Sequence, residues 1–235
     1  MSLTAMTCRS IRLALVAMFT IASRADAQGT NDLSAFSKDK AALLLRHRLP
    51  CLGCHQLNGE GGMIGPDLST VRERRSAAYI AAMIADPQRV VPGSAMPRIA
   101  MPSSTRDLIV RYLASQPGNA PDVPIPAAAP PAAPSDGSAL YARWCAACHG
   151  DTGKGDGPNA ARLPVKPAAH ASREAMSARP DDSLYDTIAS GGAVMNRSPR
   201  MPPFGGSLTP AEIRALVRHI RTLCRCEGPA WSRKP

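Results

Sequence analysis

Aromatic side chains are scarce in this chain of 235 residues: three Phe, four Tyr and two Trp, or 4% of the total. Rings supply much of the buried area of ordinary cores, so small domains built from this sequence need some other large apolar filling. Long apolar runs are lacking as well. Residues 13–22 form an apolar stretch about half as long as a bilayer span requires, and no later stretch is long enough to span one. No segment alternates apolar and polar residues as a half-buried strand would, which argues against a sheet-based fold. Blocks of Lys and Arg interleaved with aromatics are also missing. The basic balance, 28 Lys+Arg against 18 Asp+Glu, therefore does not read as a nucleic-acid surface.

What is present begins with an export signal. Arg9 and Arg12 precede the apolar stretch, and Ala25-Asp26-Ala27 offers a small-x-small cleavage site before Gln28. Residues 1–27 are expected to be removed and the mature chain exported, to the periplasm if the source is bacterial. Cleavage takes away Arg9, Arg12, Arg24 and Asp26 and leaves 25 Lys+Arg against 17 Asp+Glu. A positive surface favours acidic docking faces on partner proteins, or an anionic membrane surface, through long-range steering.

Residues 115–138 are rich in Pro and Ala, with Pro117, Pro121, Pro124, Pro126, Pro130, Pro131 and Pro134 and few side chains able to build a core. Such a segment favours extended conformations and reads as a semi-rigid spacer. It divides a first domain, residues 28–114, from a second, residues 139–235. The two read as a diverged repeat. In the first, helical periodicity predicts helices over 38–49, 77–85 and 105–114. In the second, an approach helix over 139–148 is followed by a helix that Asp181 or Asp182 caps and Gly191-Gly192 ends. Thr209-Pro210-Ala211-Glu212 then matches a capping box, opening a helix with Ile213, Leu216, Val217, Ile220 and Leu223 on one face. The expected fold is all-α, two tandem helical domains joined by a Pro/Ala-rich linker.

Each half carries one Cys-x-x-Cys-His: Cys51-Leu52-Gly53-Cys54-His55 and Cys145-Ala146-Ala147-Cys148-His149. On a helical turn, positions i, i+3 and i+4 share a face. Two sulfurs can there form thioethers with a macrocycle while the imidazole reaches its iron, the attachment pattern of c-type haem. A closed zinc site needs four protein ligands, and a thioredoxin-like dithiol should sit beside a βαβ pattern. Neither suits these halves. Two covalently bound haem c groups are expected, with His55 and His149 as proximal ligands. They would also provide the apolar filling that the aromatics do not.

With these motifs the sequence resembles the class I cytochrome c family over nearly all of the chain outside the signal and linker. That family wraps one haem in helices, with His on one face of the iron and a Met from a later loop on the other. The resemblance implies Met201, in Arg200-Met201-Pro202, as the second axial ligand in domain two. In domain one it implies Met96, in Ala95-Met96-Pro97, with Met101-Pro102 as the alternative. A thioether is a soft neutral ligand that raises the reduction potential, and a following Pro pushes its predecessor into extended backbone. Gly-rich loops follow both motifs and contain Gly65-Pro66 and Gly157-Pro158. In the family a Pro carbonyl there accepts the proximal His N–H, which implies Pro66 and Pro158. His47, His170 and His219 read as surface or hydrogen-bonded residues, with a bis-His haem as the alternative. Cys224 and Cys226 are expected to pair, within the chain or between chains.

The resemblance implies an electron-transfer protein, with redox proteins as partners and no small-molecule substrate. The first reading is an electron carrier cycling between Fe(III) and Fe(II) at two His/Met haems, with no catalytic residue. The alternatives are a cytochrome subunit of a periplasmic dehydrogenase or oxidase complex, and a di-haem enzyme such as a peroxidase, which needs an iron site that can open.

Overall fold

Each approach helix begins at a residue that can cap it. The computed structural model describes residues 33–125 and 136–232. The expected signal and the middle of the Pro/Ala-rich stretch lie outside the described residues. The Ser34 hydroxyl accepts the Ser37 N–H at 3.2 Å, so helix α1 runs Ala35–His47 rather than starting at Lys38. It buries Ala41 and Leu45, and Arg46 sits in its last turn, where a cation suits the helix dipole. A 3-10 turn, Pro50–Gly53, follows.

A hairpin of two-residue strands is the one sheet among the described residues, and it leaves the expected all-α fold in place. Strand β1, Gln56–Leu57, pairs antiparallel with β2, Glu60–Gly61, placing Gln56 opposite Gly61 and Leu57 opposite Glu60. Asn58 and Gly59 make its turn with φ of 51° and 80°. Both are left-handed, as a tight hairpin turn demands and as an Asn-Gly pair supplies. Helices α2, Val71–Arg74, and α3, Ala77–Ala85, come next. Then come α4, Pro87–Val90, and α5, Ser103–Ala114. Helix α5 packs on α3 and α1 over a core that includes Leu45, Leu52, Leu57, Ile80, Ile109 and Leu113. The start of the Pro/Ala-rich stretch stays on this domain, since the Ala120 N–H donates to the Arg72 carbonyl at 2.8 Å.

The second half opens with α6, Gly137–Trp144, which Asp136 caps through the Ala139 N–H. Helix α7, Ala146–His149, carries the second motif. Helices α8, Arg173–Ser177, and α9, Asp181–Val194, follow. The N-cap of α9 is Pro180 rather than Asp181 or Asp182. Both carboxylates stand instead in the first turn, where they oppose the positive end of the dipole. The helix breaks at Gly191, whose φ of 80° is non-helical, so the Gly pair ends the regular helix as expected. Helix α10, Pro210–Cys224, starts with the complete capping box: Thr209 takes the Glu212 N–H, and the Glu212 carboxylate takes the Thr209 N–H. It packs on α6 and α9, with Leu216 and Ile213 among the most buried side chains of this core. Arg221 points from α10 to the Met176 and Arg179 carbonyls and the Asp181 carboxylate, fixing the α8–α9 junction. Cys224 and Cys226 are disulfide-bonded within the chain. No helix among the described residues is long and apolar enough to cross a membrane.

Thr209→Ala removes both hydroxyl contributions to the box and is expected to destabilise the protein by about 1 kcal/mol, read as a lower urea midpoint with an unchanged slope.

Candidate functional site

The two Cys-x-x-Cys-His segments adopt the same turn. The His55 N–H donates to the Cys51 carbonyl at 2.9 Å and the Cys54 N–H to the same carbonyl at 3.2 Å. In the second half the distances from His149 and Cys148 to the Cys145 carbonyl are 2.9 and 3.1 Å. One helical turn thus brings both sulfurs and the imidazole of each motif to one side, as attachment requires.

All four thiols are only partly exposed and unbridged. Burial, above all, pushes the Cys51 thiol up to about 11 and Cys54 and Cys145 up to about 12. Cys54 is pushed further by the neighbouring Cys148 sulfur of the other domain, which places the two motifs close together.

Each imidazole is held by one nitrogen. His55 Nδ1–H donates to the Pro66 carbonyl at 2.7 Å, the partner expected from the family resemblance. His149 Nδ1–H donates instead to the Ala168 carbonyl at 2.9 Å, so Pro158 does not play the part of Pro66. The Asn159 N–H bonds the Ala147 carbonyl at 3.0 Å and its side chain enters the other domain, while the carbonyl that meets the ring comes ten residues after Pro158. In both domains a carbonyl fixes the tautomer and leaves Nε2 free for a metal. Burial lowers both imidazoles below the ordinary histidine range, against the raising effect of the carbonyl contact, and a neutral ring is the form that binds iron.

His170 is a site residue with no motif to announce it. Its ring stacks on His149, with centroids 4.0 Å apart and planes 13° apart. Its Nδ1 shares a 2.9 Å hydrogen bond with the Tyr141 hydroxyl. The pair is buried, and Tyr141 also abuts the His219 ring at 5.0 Å. Burial, then the nearby His149, Arg179 and His219, pushes His170 down to about 2.

The donor set fits covalently attached haem. Among the described residues no group of three or more His, Cys, Asp and Glu could hold a metal ion, which disfavours zinc. Gly65 lies so close to the His55 ring that a Cβ would come within 2.6 Å of its atoms. The Trp144 Nε1 and Arg143 Nε donors, beside the second motif, are buried without a protein partner. Buried donors of this kind call for an acceptor, and a haem propionate is one.

The methionines stand in ordered loops. The carbonyl of Met96 accepts from Gln88 Nε2 at 2.8 Å and its N–H donates to Ser94 Oγ at 3.1 Å. The Met201 carbonyl accepts the Gly192 N–H at 3.0 Å. Met96, Met101 and Met201 are all half-buried.

The two halves touch at these loops and motifs. Asn159, only 1% exposed, donates from Nδ2 to the Gly53 carbonyl inside the first motif and lies 3.7 Å from the Cys148 sulfur. Its Oδ1 accepts the Met63 N–H at 2.9 Å. One amide thus bridges both attachment turns. Asn in a Gly/Pro-rich loop reads as a turn residue, so no sequence signal distinguished it.

Residues 48–116 match the family described as cytochrome c. Residues 132–220 match the family described as cytochrome c oxidase, cbb3-type, subunit III. No curated protein matches the chain. Among solved structures, a chain of the reducing HAO-like protein complex of Kuenenia stuttgartiensis is 19% identical over 82% of this chain and 97% of its own, with a TM-score of 0.32. That likeness is too low to bear on fold or function.

Tyr141→Phe leaves His170 Nδ1 buried without a partner and is expected to cost about 1–3 kcal/mol, measured by denaturant unfolding of the holoprotein. His170 is neutral when folded but takes up a proton near 6.5 when unfolded, so the unfolded state binds more protons below that pH. Stability therefore falls on acidification through this range, and unfolding midpoints of His170→Gln should fall less steeply.

Proposed function

Because the chain carries two tandem class I cytochrome c domains, with two covalently attached haem c groups, we propose that it is an exported single-electron carrier in which each iron has one histidine and one methionine ligand. When bound, each haem supplies a one-electron Fe(III)/Fe(II) couple. The chain's own residues hold and tune it. Cys51 and Cys54, with Cys145 and Cys148, anchor the two groups. His55 and His149 present Nε2 with Nδ1 committed to a carbonyl. Met96 and Met201 lie in fixed loops and are the matching thioether donors. With a histidine and a methionine holding each iron, neither site would keep an opening for a substrate, and the chain would need no catalytic residue.

The single observation that carries this reading is the contact between the two attachment turns, bridged by Asn159 within one compact unit. Two adjacent couples suit relay between a donor and an acceptor protein. The N-terminal signal pattern and the Cys224–Cys226 bond favour an oxidising compartment such as the periplasm. The basic balance favours acidic docking faces, or an anionic membrane surface.

A second reading has its own support. The family matched by residues 132–220 is named for an oxidase subunit, which favours work inside an oxidase complex over free diffusion. Salt-sensitive co-purification with an acidic partner protein is the expected sign of it.

Spectroelectrochemical titration of the mature holoprotein tests the first reading. The expected result is the mass of two haems, two one-electron waves, and the long-wavelength ferric Met–iron band at both sites. Rapid spectral change on adding peroxide or cyanide would show an open iron and sink the carrier in favour of a di-haem enzyme. Absence of the band would remove the methionine ligands.

A further inference from the structure

Each loop that carries a methionine ligand is held by the opposite domain, and this inference rests on the assignment of Met96 and Met201 above. Arg200 immediately precedes Met201, and its side chain, 6% exposed, crosses into the first domain. There one guanidinium nitrogen donates to the Leu45 carbonyl at 3.3 Å and the other meets the Glu60 carboxylate at 3.1 Å. Arg46 Nε stands 3.3 Å from the other oxygen of Glu60. The Arg200 carbonyl rests directly on Gly53, where a Cβ would collide with it. The reverse arrangement also exists. Arg143 of α6 donates to the Ser94 carbonyl at 3.1 Å, two residues before Met96. The Arg98 N–H, two residues after it, donates to Ser207 Oγ at 2.7 Å.

We propose that Arg200 is a positioning residue for Met201, so that domain one, through Leu45, Gly53 and Glu60, sets the ligation of the haem in domain two. The chemistry requires such a hold. A thioether is a neutral, soft ligand presented from a loop, and the partners that orient a ligand decide how well it is presented. A guanidinium bound at two points fixes the backbone next to it in a way that a single contact does not. Because it is buried, it also has no water to fall back on if its partners move.

Gly53 makes the idea separable from electrostatics. Gly53→Ala changes no charge, lies in the first motif, and installs the residue that the second motif has at the same place, Ala147. Haem attachment therefore tolerates it, while the Arg200 carbonyl must shift.

The test compares the ferric Met–iron band and both potentials in the parent holoprotein, Gly53→Ala, Met201→Leu and the double variant, each checked for two haems by mass. Met201→Leu defines the share of the band due to the second haem, about half for two equivalent sites. Gly53→Ala is expected to lose much of that same share and to lower one potential, with no further loss in the double variant. Arg200→Lys, which keeps the charge but not the two-point hold, should reproduce the loss and stands in if Gly53→Ala does not mature. A band and potentials unchanged in both variants would overturn the proposal, as would a double variant that loses the bands of both haems, since the effect would then be local to the first motif. A parent without any Met–iron band would overturn the ligand assignment itself, a different result from a parent that has it and variants that keep it.

Discussion

An imidazole can offer one nitrogen steadily to a metal only when the other is committed elsewhere. In both domains the commitment is to a backbone carbonyl, Pro66 for His55 and Ala168 for His149. The carbonyl can only accept, so the nitrogen facing it must carry the proton and the distal nitrogen must be the free donor. The two Cys-x-x-Cys-His turns, the Gly-rich loops behind them and the helices that close over them all serve to bring that carbonyl to that ring. Gly65 shows how tight the arrangement is, since even a methyl group there would press on the imidazole.

The domains reach this common end differently. Domain one uses a short loop opened by an Asn-Gly hairpin, and the carbonyl comes from the eleventh residue after the histidine. Domain two spends its longer loop twice. Asn159 goes to the domain boundary, and Ala168 and His170 return beneath and beside His149. The stacked His170 and its Tyr141 partner surround the second histidine with polarisable, neutral groups. Among the described residues no ring stacks on His55 in this way. Two sites with the same attachment chemistry therefore sit in unlike environments, which is a physical basis for unlike potentials.

The boundary between the domains holds buried, paired polar groups. Asn159 satisfies both ends of its amide there, and Arg200 finds a carboxylate and a carbonyl. Groups so buried are costly unless paired, so they specify one arrangement of the domains over others. The Pro/Ala-rich stretch tethers the domains. Side-chain contacts orient them.

By itself the sequence determined the longer helices to within a few residues, the attachment turns and the two-domain layout, because each is written in residues within a few positions of one another. The 3.6-residue periodicity of α10, its Thr209–Glu212 box and the i, i+3, i+4 spacing of the motifs are all local. The pairing of His55 with Pro66, eleven residues apart, was legible only through family resemblance. The tertiary structure alone decided the carbonyl beneath His149, the stacking of His170, and the crossing of Asn159 and Arg200 into the other domain. Arg200 and Glu60 are 140 residues apart, and neither has a neighbour that marks it. An arginine before a Met-Pro and a glutamate in a hairpin read as surface charge until the chain folds. The contact exists only because two separately encoded cores meet along one face, and that meeting depends on shape and burial over many residues rather than on any short pattern.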